Sequence, residues 1–180
     1  MPITINGNGT IGGFTSGLPA GSILQVKETF LDTAFNVTYA VDTDTDVTGL
    51  SVSLTPTAAT SKMLIFVRLN SELASVNMHQ LVLNLKRNGT FVGRPAASGS
   101  RRTGLQGTSM GYYDGDATST MDVSQFHFLD SPNTTALITY QVSMICTHGT
   151  TMHVNRTLND FDTKSHERLT SSIVVMEVAG

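Results

Sequence analysis

Between Thr48 and Leu69 the chain carries two apolar runs joined by a short polar link. In the first, Leu50, Val52 and Leu54 alternate with Ser51, Ser53 and Thr55, the period of a strand with one wet face. Pro56 removes a ladder donor and ends that strand. After Thr57–Ser61 a second strand begins at Lys62, with Met63, Ile65, Val67 and Leu69 on one face and Leu64 and Phe66 on the other. A strand wet on one side has no use for Leu64 and Phe66. The pattern therefore predicts a strand that is central in a sandwich or covered by a partner chain.

The same alternation recurs along the chain. Ser22 to Phe30 is the first domain strand, with Ile23, Leu24 and Val26 as its apolar content. Residues 32 to 48 are polar and read as a loop. In 80–87, Leu81, Leu83 and Leu85 share a face, and Asn88-Gly89 follows. That dipeptide suits a type I′ turn, so the strand should pair antiparallel with a short one at 90–94. In 121–129, Met121 and Val123 lie on one phase and Phe126 and Phe128 on the other, which suggests a bulge or a strand covered on both faces. Residues 136–146 alternate cleanly, with Ile138, Tyr140, Val142, Met144 and Cys146 on the inner face. A weak strand at 150–156, a charged loop at 159–169 and a last strand at 171–178, whose Ile173, Val174, Val175, Met176 and Val178 predict burial on both faces, complete the count. Roughly eight strands, turn signals at short intervals and no helical period predict an all-β, antiparallel two-sheet sandwich of jelly-roll kind.

Two segments stand apart. Residues 1–21 are punctuated by glycine, yet carry Ile3, Ile5, Ile11, Phe14 and Leu18 as spaced apolar residues. That composition suits an extended arm whose anchors fill pockets on another surface; an arm folded back on its own domain is the alternative. Leu18-Pro19-Ala20-Gly21 reads as a type I turn that separates this arm from a domain at 22–180. The second segment, 95–120, is Gly-, Ser- and Thr-rich and holds Arg101, Arg102, Tyr112 and Tyr113. Connections this long are usually functional or disordered, and Tyr and Arg are the types that anchor recognition surfaces.

Composition narrows the function classes. A net charge of −3 with 14% charged residues argues against general nucleic-acid binding, and no apolar run approaches the ~20 residues of a membrane helix. The first ten residues lack the basic and apolar regions of a secretory signal. The single cysteine, Cys146, lies in an apolar run and reads as a small core residue. A surface low in charge and rich in Thr, Ser, Asn and Gly suits a protein packed in an assembly.

Candidate chemistry is sparse. Asp42, Asp44 and Asp46 alternate, but an EF-hand beginning at Asp42 would need glycine where Val47 stands and glutamate where Ser53 stands. A solvated acidic loop is the expectation, with weak divalent binding at an oligomer axis left open. The five histidines, at 79, 127, 148, 153 and 166, form no zinc spacing, and His148 and His153 read as surface residues. No nucleophile elbow or phosphate-binding loop occurs. Asp114 and Asp116 lie in a flexible-looking loop, poor support for positioned acids. No catalytic constellation and no cofactor are expected.

The run Asp46-Val47-Thr48-Gly49-Leu50-Ser51-Val52-Ser53-Leu54-Thr55-Pro56, followed by Thr60-Ser61-Lys62-Met63-Leu64-Ile65, resembles a β-sandwich family of tailed-bacteriophage virion proteins. These are capsid decoration (cement) proteins and tail-fibre tip domains. Gly17 to Val26, Phe128 to Thr135 and Ile173 to Val178 are similar to that family's first strand, late turn and last strand. The resemblance implies a jelly-roll-like domain that trimerises on a virion and has no enzymatic activity. Its partner would be the major capsid protein, or a host surface glycan or receptor if it sits on the tail. The glycine-rich arm favours the capsid, with Ile3, Ile5, Ile11, Phe14 and Leu18 as anchors. A tail tip would use Arg101, Arg102, Tyr112 and Tyr113. A carbohydrate-binding module is the more distant alternative. Three-fold packing would cover the second apolar face of strand 62–69 or of strand 171–178.

Overall fold

A computed structural model describes residues 18–74, 81–108 and 120–180, together with the backbone of 4–5 and 11–12. In chain order the strands are β1 (Thr4–Ile5), β2 (Ile11–Gly12), β3 (Ile23–Leu31), β4 (Phe35–Tyr39), β5 (Thr45–Leu54), β6 (Lys62–Leu73) and β7 (Leu81–Arg87). After these come β8 (Thr90–Val92), β9 (Gln106–Thr108), β10 (Asp122–Asp130), β11 (Ile138–Cys146), β12 (Thr150–Val154) and β13 (Ser171–Val178). No helix occurs among the described residues.

All but β1 and β2 build two antiparallel sheets. In one, β6 is flanked by β10 on one edge and by β13 then β12 on the other, with β3 beyond β13 and β4 beyond β12. The other runs β5-β11-β7, with β8 and β9 sharing the far edge of β7. Setting aside the β4–β12 pair and counting β8 with β9 as one, eight strands remain. Their order is first-eighth-third-sixth in one sheet and second-seventh-fourth-fifth in the other, the winding of a jelly roll. The predicted all-β sandwich is the fold.

The core lies between the sheets because the alternation places one row of each strand there. Met63, Ile65, Val67 and Leu69 of β6 and Ile173 and Val175 of β13 meet Leu50, Val52 and Leu54 of β5. Ile138, Tyr140, Val142 and Met144 of β11 and Leu81, Leu83 and Leu85 of β7 complete the opposite wall. Cys146 is buried and free, its thiol against the His148 carbonyl at 2.7 Å. Tyr140 ties the layers together. Its hydroxyl donates to Asp130 Oδ2 of the other sheet at 2.6 Å, and Arg87 pairs with the same oxygen at 2.6 Å. The Asn88-Gly89 hairpin forms as the sequence predicts, with φ of 48° and 81°.

Several expectations are corrected. Residues 32–48 are not one loop: Phe35, Val37 and Tyr39 face inward from β4, alternating with Asn36 and Thr38. β5 begins at Thr45, and Val47 is buried with Leu50. The step from 47 to 50 breaks the period of two because the β5–β11 register shifts there and Gly49 has φ 77°. The first turn closes through Ser22 N–H to Pro19 O at 3.0 Å. It therefore spans Pro19–Ser22, one residue later than expected, with Gly21 third at φ 87°. β10 has no bulge; its register on β6 is unbroken from Asp122 to Asp130. Phe126 and Phe128 pack against the core, while Val123 and Leu129 are exposed on the opposite face. Part of the 95–120 connection is also ordered, as β9 on the edge of β7.

Candidate interaction surface

The outward face of the six-stranded sheet carries the second apolar face that the sequence shows on strand 62–69. Directly paired residues share a face, so the register can be read across four strands. One row runs Leu129, Leu64, Met176, Val26 from β10 through β6 and β13 to β3. The next runs His127, Phe66, Val174, Glu28, and the third Gln125, Arg68, Ser172, Phe30. Ile23 pairs with Val178 at one end, and Val123 with Asn70 at the other.

Much of this surface is apolar and wet. Phe66 is 42% exposed, Leu129 50% and Phe30 54%; Val26, Val123 and Ile23 are also exposed, and Leu64, Val174 and Met176 are half-buried. The sequence placed a surplus on strand 62–69 and another on the last strand. Because β6 and β13 are neighbours, these are one surface. It corrects one reading: β13 is not buried on both faces, its outer residues being half-buried. Ile23 and Val26 of β3 are exposed on the same face. A groove of about 420 Å³ crosses the face, lined by Phe66, Arg68, Gln125, His127, Ser172 and Val174. The Phe66 and His127 rings stand 6.2 Å apart across it. Arg68 donates through Nη2 to Thr170 Oγ1 at 3.1 Å, while its Nε is buried without a partner.

The outer face of the five-stranded sheet is closed by its own chain. Ser53 and Thr139 hydroxyls meet at 2.7 Å, and Gln141 Nε2 donates to the Val47 carbonyl at 3.0 Å. Asp44 accepts from Ser143 Oγ at 2.8 Å, from Asn84 Nδ2 at 3.2 Å and from Lys86 Nζ at 3.2 Å; Asp46 also pairs with Lys86. These carboxylates hold the Lys86 ammonium above its usual pKa although burial works against it. Gly104 lies so close to this sheet that a Cβ there would collide with Val82 and stand 2.8 Å from the Leu83 carbonyl.

The aspartate triplet is in part the solvated loop expected, with Asp42 and Asp46 exposed, but each carboxylate also has a cationic partner in the chain. Asp42 pairs with Arg102, and Asp44 and Asp46 share Lys86. Among the described residues no group of three acidic, His or Cys side chains converges to hold a metal ion. Arg102, expected as a recognition anchor, is bound within the chain by Asp42 and by Thr147 Oγ1 at 3.1 Å. Arg101 is exposed and bonds Ser98. Of the arm residues, Leu18 is 48% exposed, and the backbones of Ile5 and Ile11 pair with each other. Ile3, Phe14, Tyr112 and Tyr113 lie outside the described residues.

Two buried polar clusters escaped the sequence. Glu177, on the inner row of β13, is fully buried beneath the 57–61 link. Thr57 donates its N–H and its hydroxyl to Glu177 Oε1, both at 2.6 Å, and Gln25 Nε2 donates to Oε2 at 2.5 Å. Burial alone would raise this carboxyl's pKa; the donors from Thr57 and Gln25 outweigh it and hold it at about 2. His153 is not a surface residue but buried, 2.6 Å from the Arg156 guanidinium. Burial, and then the Arg156 charge, push its pKa down. Beside it on β6, the buried Glu72 accepts from Thr120 Oγ1 and from Leu158 N–H, both at 2.6 Å. Nothing in the alternation separates a buried glutamate at a strand end from an exposed one.

No protein-family model matches the chain, and no curated protein matches it. Among solved structures, the VP2 subviral particle of infectious bursal disease virus aligns with a TM-score of 0.38 at 13% identity, over 88% of this chain and 42% of that one. The T13 particle of the same virus aligns with a TM-score of 0.41 at 11% identity, over 99% of this chain and 40% of that one. The chain spans less than half the length of either.

Proposed function

We propose that this chain is a structural subunit of a virion, a capsid decoration (cement) protein of a tailed phage that works as a homotrimer. The reading is supported by one observation above all: a continuous apolar row across β10, β6, β13 and β3 that no described segment covers. A lone domain gains nothing from such a face, whereas an assembly subunit buries it at about 25 cal/mol per Å².

The mechanism is binding without chemistry. Residues 1–21 lie as an arm across neighbouring major capsid subunits, anchored by Ile3, Ile5, Ile11, Phe14 and Leu18, and the sandwich rests against the same lattice. Three arms on one trimer act at high effective concentration. A receptor-binding tail tip is the rival role. It would present Arg101, Arg102, Tyr112 and Tyr113 to the host, but Arg102 is already held by Asp42 and Thr147, which favours the capsid. A virion reconstruction that locates the chain tests the proposal. Density on the outer capsid surface is the expected result; density confined to the tail overturns it. Deleting residues 1–17 should weaken capsid binding, and unchanged affinity would remove the arm from the mechanism.

A further inference from the structure

We infer that the open face of the six-stranded sheet binds a second copy of itself, face to face, about a two-fold axis parallel to the strands. The inference rests on the reading of this chain as an assembly subunit. It gives the face a two-fold partner in place of a three-fold seat, so that trimers joined elsewhere would be linked in pairs.

The argument is one of register. Place the axis between β6 and β13. The rotation keeps each cross-strand row level and reverses the order of strands within it. β10 then lies over the β3 of the second copy, and β6 over its β13. In the first row Leu129 meets Val26 and Leu64 meets Met176, an apolar stripe on both sides. In the second row Phe66 meets Val174, and His127 meets Glu28, an imidazole donor against a carboxylate. In the third row Gln125 meets Phe30, and Arg68, whose Nε has no partner, meets Ser172.

No row sets like charge against like, and across the two outer strands the His127 imidazole faces the Glu28 carboxylate. An isologous contact asks for this self-complementarity, and sheets packed about 10 Å apart with aligned strands supply the geometry. Four strands at about 4.8 Å spacing and about eight residues at about 3.3 Å give about 500 Å² of projected face per copy. The two faces together, about 1,000 Å², fall in the size class of weak, transient contacts, which linkage on a lattice would strengthen.

The test is a charge swap on the full-length chain, read by sedimentation equilibrium and native mass spectrometry up to about 100 µM. The wild type should form dimers, or hexamers if it also trimerises. His127→Glu, which sets carboxylate against Glu28 twice per contact, should weaken this association about tenfold or more. Glu28→Lys should weaken it less, and the double variant His127→Glu/Glu28→Lys should recover it. Phe66→Ser should abolish the even-numbered species. Matching unfolding midpoints for the variants establish that each is folded. Absence of even-numbered species in the wild type, or a double variant no better than His127→Glu alone, overturns the inference. A trimer whose mass never doubles overturns it too, yet leaves the virion role standing. A swap that behaves as expected in a protein absent from virions keeps the contact and removes the role.

Discussion

The two sheets of this sandwich treat their outer faces in opposite ways. On the five-stranded sheet, Ser53, Thr139, Gln141, Asn84 and Lys86 find partners within the chain, and the loop through Gly104 lies on Val82. On the six-stranded sheet, the equivalent positions hold Leu64, Phe66, Val174 and Met176, and no described segment covers them. Both sheets turn apolar rows inward, so the contrast lies in their outer faces. A face finished by hydrogen bonds is complete in one copy of the chain. An apolar face left half-wet is of the kind that marks interaction sites.

If that contrast is sound, the inner and outer residues of β6 should differ most. Ile65→Ala, in the core, should cost about 2–5 kcal/mol in urea unfolding. Phe66→Ser, one residue away, should cost less than about 1 kcal/mol in dilute protein. Equal losses would erase the distinction between the faces. Next in size, Gly104→Val should lift the loop from the five-stranded sheet and cost about 1–3 kcal/mol, seen as a lower thermal midpoint. No such effect would mean that this face is not closed by the loop.

Glu177→Gln removes the charge that Thr57 and Gln25 hold and should cost about 1–3 kcal/mol. The sign with pH is definite. Its folded pKa of about 2 lies below the ordinary 4.5. The contribution is complete above about 4.5 and is lost as pH falls towards 2, and the variant should flatten the acid limb of an unfolding series. His153 acts in a higher window. Its folded pKa is lowered from 6.5, so its neutral form adds stability that is whole above that value and declines as pH falls below it. A shallower slope between pH 7 and 5 in His153→Gln would show this. Smallest of all, Ser53→Ala should change stability by about 0.5–1 kcal/mol, since its partner Thr139 remains open to water.

The strands, the Asn-Gly hairpin and the inner rows of β6, β11 and β7 were legible because a period of two is a local property of the chain. The surplus on Leu64 and Phe66 was legible too, and both lie on the outer face of the six-stranded sheet. That β13 supplies the adjoining surplus was not, because strand order depends on pairings between residues about a hundred positions apart, as with Phe66 and Val174. β4 was overlooked because it is only five residues long and its inward residues, Phe35, Val37 and Tyr39, are set in a polar stretch, and the start of β5 because the bulge at Gly49 breaks the period. Asp42, Asp44 and Asp46 looked like a loop for calcium or for water. Only the fold brings Arg102 and Lys86 to them.

Hydroxyl-radical footprinting of the wild-type chain over a concentration series tests the central claim most directly. Phe66 and Met176 on the outer face should be oxidised readily in dilute protein and become protected as concentration rises, while Met63 in the core stays protected throughout. Reactivity at Phe66 and Met176 that does not change with concentration would contradict the account.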